Sequence, residues 1–265
     1  MNERLPDSDF LALVEPFTGP VKELKPTERG FTSDVLALID GGLGRFFVKG
    51  TRNREGGRRD SLVRERLIND SVRTVSPSLR WYTENDRWMA LGFERVEGKP
   101  SRFEPGSPDL LAVLDLLGRI GEIPLPALVV DWPETRWDAF TADTAEAQLF
   151  RGDSLIHGDV APGNFLVGAE GSWAVDWSWP TRGAAFIDPS FLVLQLIAAG
   201  HSPEAAEDLV ARIPAWAKAD RRGIDAFARA NLRMFRHRAE RFPEQTWLRE
   251  MEGTAQAWVD HRSAE

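Results

Sequence analysis

Two short apolar runs, Asp34–Asp40 (DVLALID) and Gly44–Gly50 (GRFFVKG), stand on either side of Gly41 and Gly42. They are rich in branched and aromatic residues, and this pattern predicts a β-hairpin with a glycine turn. Gly56–Asp70 (GGRRDSLVRERLIND) places Leu62, Arg66 and Leu67 at helical spacing and predicts a helix. SLRWYTE and RWMALGFE read as two further strands, with Asn85 and Asp86 as the turn between them. Val96–Pro108 is rich in Pro and Gly and reads as a connector. Beyond it the pattern is mainly helical. SPDLLAVLDLLGRIGEI and SPEAAEDLVARIPAWA each open with Ser as N-cap and Pro in the first turn, at Ser107-Pro108 and Ser202-Pro203. Between them, Ser154–Trp177 interrupts the helices with short apolar runs and loops. There is no internal repeat and no low-complexity tract.

Composition narrows the function classes. The 265 residues are 42% hydrophobic and 28% charged, as in an ordinary globular chain. The net charge of −8 disfavours nucleic-acid and anionic-membrane partners. The absence of cysteine removes disulfides, thiolate metal sites and Cys nucleophiles. The four histidines show no zinc-protease spacing. The start, MNERLPDSDFLALVEPF, lacks the pattern of a signal peptide, and Ala184–Ala199 carries Asp188, Pro189 and Gln195, which predicts a core helix instead of a membrane span. The expectation is a cytoplasmic protein, monomer or homodimer. The ten tryptophans read mainly as packing residues, with Trp177 and Trp179 set apart by the acid that precedes them. The basic run Thr51–Arg59 reads as a solvated loop.

The chemistry concentrates in SLIHGDVAPGNFLV, Ser154–Val167. Here His157-Gly158-Asp159 is followed, five residues after the aspartate, by Asn164; Asp176 follows at the end of the apolar run WAVDW. Asn164 and Asp176 offer hard oxygen ligands of the kind Mg²⁺ takes. Asp159 then remains to accept a proton from a substrate hydroxyl. Metal ligands, one orienting base and a cation on the phosphates make up what phosphoryl transfer needs.

HGDVAPGN followed by VDW resembles the catalytic loop and metal-binding segment of the aminoglycoside phosphotransferase family, a small-molecule branch of the protein-kinase-like fold. Its spacing is similar to the H-R-D-x-x-x-x-N and D-F-G signatures of protein kinases. The resemblance implies an α+β, bilobal protein-kinase-like fold. A small β-rich N-lobe, 1–95, would bind the nucleotide. A larger, mainly helical C-lobe, 96–265, would carry the catalytic loop, the metal site and the substrate-binding helices. It implies Asp159 as catalytic base, Asn164 and Asp176 as Mg²⁺ ligands, His157 as a structural loop residue, and Asp188 as a brace of the loop; Asp188 also reads as the N-cap of its helix. Upstream it implies Lys49 on the nucleotide phosphates, paired with Glu65 or, less well placed, Glu55. Gly30, Thr32 and Ser33 would form the phosphate-covering turn, which departs from G-x-G-x-x-G, and Phe93 and Glu94 the hinge that holds the base.

The implied activity is transfer of the γ-phosphate of ATP or GTP, with Mg²⁺, to a hydroxyl of a small molecule. An aminoglycoside or other antibiotic is the nominal acceptor, with antibiotic resistance as the corresponding role. Alternatives are a kinase of a metabolite such as an amino alcohol, homoserine or sugar, and a non-catalytic nucleotide-binding protein. Ala161 stands where protein kinases place a lysine, which argues against a protein substrate. A polycationic acceptor would need convergent carboxylates in the helical lobe, where Asp138, Asp143, Glu146, Glu244, Glu250 and Glu252 lie; each of these also reads as a solvent-facing helix residue.

Overall fold

The computed structural model describes residues 6–27 and 33–264. By its contacts the chain divides into two compact units, 1–98 with 168–179, and 99–167 with 180–265. The segment 168–179, which includes Asp176, thus groups with the sheet-bearing unit, whereas the sequence reading placed it in the C-terminal lobe.

The first unit is built on helix α1 (Ser8–Thr18), strands β1 (Val21–Pro26), β2 (Val35–Gly41) and β3 (Gly44–Arg52), helix α2 (Gly57–Val72), and strands β4 (Leu79–Glu84) and β5 (Trp88–Glu94). The strands form one antiparallel sheet in the order β1-β2-β3-β5-β4. Alternation along each strand separates two apolar clusters. Val35, Ala37, Ile39, Val48 and Ala90 pack with Phe10 and Val14 of α1. Met89, Leu91 and Phe93 pack with Leu62 of α2. At Gly50 only a hydrogen fits, because a Cβ there would stand 2.3 Å from the Phe10 ring.

The predicted hairpin forms as expected, and Asn85 closes the next turn, its Oδ1 accepting from the N–H groups of Arg87 (2.9 Å) and Trp88 (2.8 Å). One feature differs from the sequence reading. The first third was expected to hold one helix but carries two: α1 begins at an Asp7 cap, whose carboxylate accepts from Phe10 N–H at 2.9 Å. In α2 the buried face is Ser61, Leu62, Glu65, Ile68, Asn69 and Val72, and Leu67 is exposed.

The second unit contains strand β6 (Lys99–Pro100), helices α3 (Leu110–Gly121) and α4 (Thr144–Gln148), and strands β7 (Ser154–Ile156) and β8 (Phe165–Gly168). The chain passes through the first unit with β9 (Gly171–Ala174), where Ala174 N–H donates to the Val75 carbonyl at 2.7 Å. It returns with β10 (Thr181–Gly183) and helices α5 (Ile187–Ala198), α6 (Pro203–Val210), α7 (Pro214–Ala217), α8 (Arg221–Arg241) and α9 (Thr246–Ala264). Strand β7 pairs antiparallel with β10, and β6 with β8. Trp137, Phe150 and Phe227 pack in the core, with ring centroids 4.7 Å apart for the tilted pair Trp137–Phe227 and 5.7 Å for the edge-to-face pair Phe150–Phe227.

Ser202 caps α6 as expected, accepting from Ala205 N–H at 3.2 Å. Ser107 does not cap α3. The helix starts later, at Leu110, and the Ser107 hydroxyl instead accepts from Asp109 N–H within the preceding turn. The apolar stretch near residue 190 is the buried helix α5, and no helix among the described residues is long and apolar enough to cross a membrane.

Candidate active-site residues in the two units

Sheet register places Lys49. On β3 it stands opposite Leu36 and Leu91, on the face that α2 covers. One α2 turn past Leu62, Glu65 meets it: Lys49 Nζ donates to both Glu65 carboxylate oxygens, at 2.8 and 3.0 Å. Both side chains are buried, 5% and 4% exposed. Glu55 is exposed, so of the two candidates Glu65 is the partner.

The same ammonium donates to Asp176 Oδ1 at 2.8 Å. Asp176 is the only non-glycine with positive φ among the described residues, at 63°. Aspartate tolerates that left-handed conformation better than a bulky residue does. The Ser178 hydroxyl donates to the same Oδ1, and the Trp177 backbone N–H donates to Glu65. Trp177 is fully buried.

Two carboxylates therefore share one ammonium. Burial alone would lower the Lys49 pKa, but the charges of Glu65 and Asp176 outweigh it and hold the pKa above the ordinary lysine value. Burial pushes the Glu65 carboxyl up, to about 7; Lys49 opposes the rise and the Asp176 charge adds to it. The cluster is short of positive charge.

In the second unit the loop after β7 is held by its main chain. Asp188, in the first turn of α5, accepts from the backbone N–H groups of His157 and Gly158, each at 2.8 Å. The N-cap of α5 is Phe186, so Asp188 does not cap the helix and serves the loop alone. Burial raises the Asp188 carboxyl despite the opposing pull of His157 and both N–H groups. His157 is buried, and its Nδ1 accepts from Asp159 N–H at 3.2 Å. Asn164 Nδ2 donates to the Asp159 carbonyl (3.0 Å) and carboxylate (2.8 Å), which fixes the loop across its turn. Asp159 is exposed.

Arg136 and Glu134 join this loop without having been singled out in the sequence. Arg136 Nη1 donates to the Gly158 carbonyl at 2.7 Å, and its other nitrogens bind Glu134. Gly158 has φ +75°, and a Cβ there would stand 2.0 Å from Arg136 Nη2. Glu134 is fully buried. It accepts also from Arg136 N–H (2.8 Å) and the Thr181 hydroxyl (2.7 Å), and these partners outweigh burial and hold its carboxyl below the ordinary range. The only signal in the sequence was Gly158 itself, a residue without a side chain next to Asp159.

The remaining candidates stand apart from both clusters. Ser33 lies just before β2, its hydroxyl buried and without a partner among the described residues. Gly30 and Thr32 lie outside the described residues. Phe93 and Glu94 end β5, with Phe93 buried between Phe47 and Leu79 and the Glu94 carboxylate bound by Arg80. Among the described residues no group of three or more His, Cys, Asp or Glu could hold a metal alone.

No family model matches the chain, and no curated protein matches it in sequence. Solved structures do. An aminoglycoside phosphotransferase from Alicyclobacillus acidocaldarius is similar over 100% of this chain and 97% of its own, at 12% identity and a TM-score of 0.65. Choline kinase LicA from Streptococcus pneumoniae is similar over 96% of this chain and 98% of its own, at 11% identity and a TM-score of 0.64. A spectinomycin phosphotransferase, solved with ADP and spectinomycin, is similar over 97% and 94%, at 12% identity and a TM-score of 0.61. Likeness over nearly the whole of each chain at so low an identity speaks for the backbone, and this protein has the α+β, kinase-like fold of those phosphotransferases.

Proposed function

We propose that this chain is a phosphotransferase that moves the γ-phosphate of ATP or GTP to a hydroxyl of a small molecule. The observation that carries the reading is the buried contact of Lys49 with Glu65 and Asp176, in a fold whose other unit presents a braced Asp159–Asn164 loop. Lys49 is held extended and charged, and it would bind nucleotide phosphate oxygens. Asp159 accepts the acceptor's hydroxyl proton as the oxygen attacks phosphorus. The bond from the γ-phosphorus to the β–γ bridging oxygen breaks, and the nucleoside diphosphate leaves with that electron pair.

The donor chemistry fits Mg²⁺. Asp176 and Asn164 supply hard oxygens, and the two carboxylates that share one ammonium are short of positive charge. When bound, Mg²⁺ neutralises charge on the transferring phosphates. Asn164 has a second task, holding the Asp159 carboxylate in place. Asp188 and Arg136 act on the backbone of the loop and so position Asp159.

The test is transfer of labelled γ-phosphate from ATP or GTP into a pool of hydroxyl compounds, with Asp159→Asn as control. A product that the variant fails to make supports the reading. Equal product from both proteins sinks the base assignment, and failure to bind Mg²⁺–nucleotide at all overturns the reading.

A further inference from the structure

The stretch that carries Asp176 is pinned on both sides of that residue. Before it, Ala174 N–H donates to the Val75 carbonyl at 2.7 Å. After it, the Trp177 ring is fully buried, and its Nε1 donates to the Ala174 carbonyl at 3.2 Å. Ser178 comes next. It is buried, and its hydroxyl turns back to donate to Asp176 Oδ1. All of these residues lie in the sheet-bearing unit, with Lys49 and Glu65.

The conformation of the Asp176 side chain is not settled by its backbone. Its φ of 63° fixes where the side chain leaves the chain, but the outer torsion of an aspartate is broad, so hydrogen bonds decide where the oxygens point. Two donors meet Oδ1, and they are not equivalent. Lys49 Nζ reaches it at 2.8 Å, yet the same ammonium also serves both Glu65 oxygens, at 2.8 and 3.0 Å. Its place is a compromise between two acids. A serine hydroxyl has one proton, and Ser178 gives it to Asp176. That bond adds no charge, so it orients the carboxylate without weakening the pull of the acids on a cation, as a second ammonium would. A ligand oriented beforehand loses less freedom when it takes up a metal and holds it more tightly.

We infer that Ser178 is a positioning residue for the metal: its buried hydroxyl, donating to Asp176 beside Lys49, orients that carboxylate for Mg²⁺. The inference rests on the phosphotransferase reading and adds to it a residue outside the metal's own ligands.

The probe is Mn²⁺, which takes the same oxygen ligands as Mg²⁺ and is counted by electron paramagnetic resonance. Wild type, Ser178→Ala, Ser178→Cys and Asp176→Ala are titrated with it in the presence of a non-hydrolysable ATP or GTP analogue. The melting temperature of each is read with and without the metal. The expected result is that Ser178→Ala raises the Mn²⁺ Kd about tenfold or more, as loss of a hydrogen bond to a metal ligand does. Ser178→Cys, close in shape but a weak donor, falls between wild type and alanine, and it decides the matter should Ser178→Ala fail to fold. The rise in melting temperature on adding metal shrinks in the same order. A merely structural role would lower the metal-free melting temperature and leave the Mn²⁺ Kd unmoved. Wild-type Mn²⁺ affinity in both Ser178 variants overturns the inference; if Asp176→Ala then loses the metal, only the part given to Ser178 has failed. Wild-type affinity in Asp176→Ala overturns the ligand assignment and the inference with it. Failure of the wild-type protein to bind Mn²⁺–nucleotide overturns the phosphotransferase reading itself.

Discussion

Glu65 in the sheet unit and Glu134 in the helical unit are both buried carboxylates joined to one cation, yet their pKa values move in opposite directions. Glu134 faces a guanidinium on two sides, a backbone N–H and a hydroxyl, with no second acid against it. Glu65 faces an ammonium that it must share with Asp176. Burial is common to both, so the balance of partners decides the outcome. The sheet cluster has one negative charge too many and suits a cation. In the helical cluster Arg136 matches the Glu134 charge one for one.

The sharpest contrast is between chemistry and architecture. Asp159→Asn should lower kcat about 1000-fold while Mg²⁺–nucleotide affinity and melting temperature stay at wild-type values, because the acid is exposed and an asparagine amide oxygen can still accept from Asn164 Nδ2. Single-turnover kinetics beside calorimetry check this, and a large fall in melting temperature would erase the distinction. Next, Lys49→Met strands two carboxylates in the sheet unit. We expect a loss of about 3 kcal/mol in denaturant unfolding. Glu65→Gln, which removes the surplus charge but keeps a hydrogen-bond acceptor, should cost less.

In the helical unit the corresponding change is Asp188→Ala. It leaves two buried backbone N–H groups without an acceptor and should cost about 2 kcal/mol, with faster amide exchange at His157 and Gly158. The smallest effect is a pH dependence. The Glu134 pKa is depressed on folding, so its stabilisation is fully present above the unfolded value near 4.5 and disappears as pH falls through the folded value. The melting-temperature gap between wild type and Glu134→Gln should therefore be widest near neutrality and close on acidification. A gap independent of pH would place the effect in shape and not in charge.

Much of this was legible in the chain, for reasons that differ by residue. The β2–β3 hairpin and the β5 strand follow from local pattern. Asp159, Asn164 and Asp176 were visible because their chemistry is compressed into one short stretch. Lys49 and Glu65 are 16 positions apart, and only the sheet register and one helix face bring them together; spacing narrowed the partner to two acids and the fold chose one. Arg136 escaped because nothing local marks an arginine whose partner lies 22 positions downstream. Helix α1 escaped because Pro16 interrupts its pattern, although Asp7 has the chemistry of a cap.

The contact of Arg136 with Gly158 has a consequence for how such chains can change. Protein kinases carry an arginine within the loop, as H-R-D; here a guanidinium reaches the same loop from position 136, over a glycine. The two arrangements are not neighbours in sequence space. Gly158→Arg alone sets a side chain in a left-handed backbone, against a guanidinium already in the way, and Arg136→Gly alone strips the carbonyl of its donor. Passage from one to the other needs two changes at once, so positions 136 and 158 should vary together or not at all.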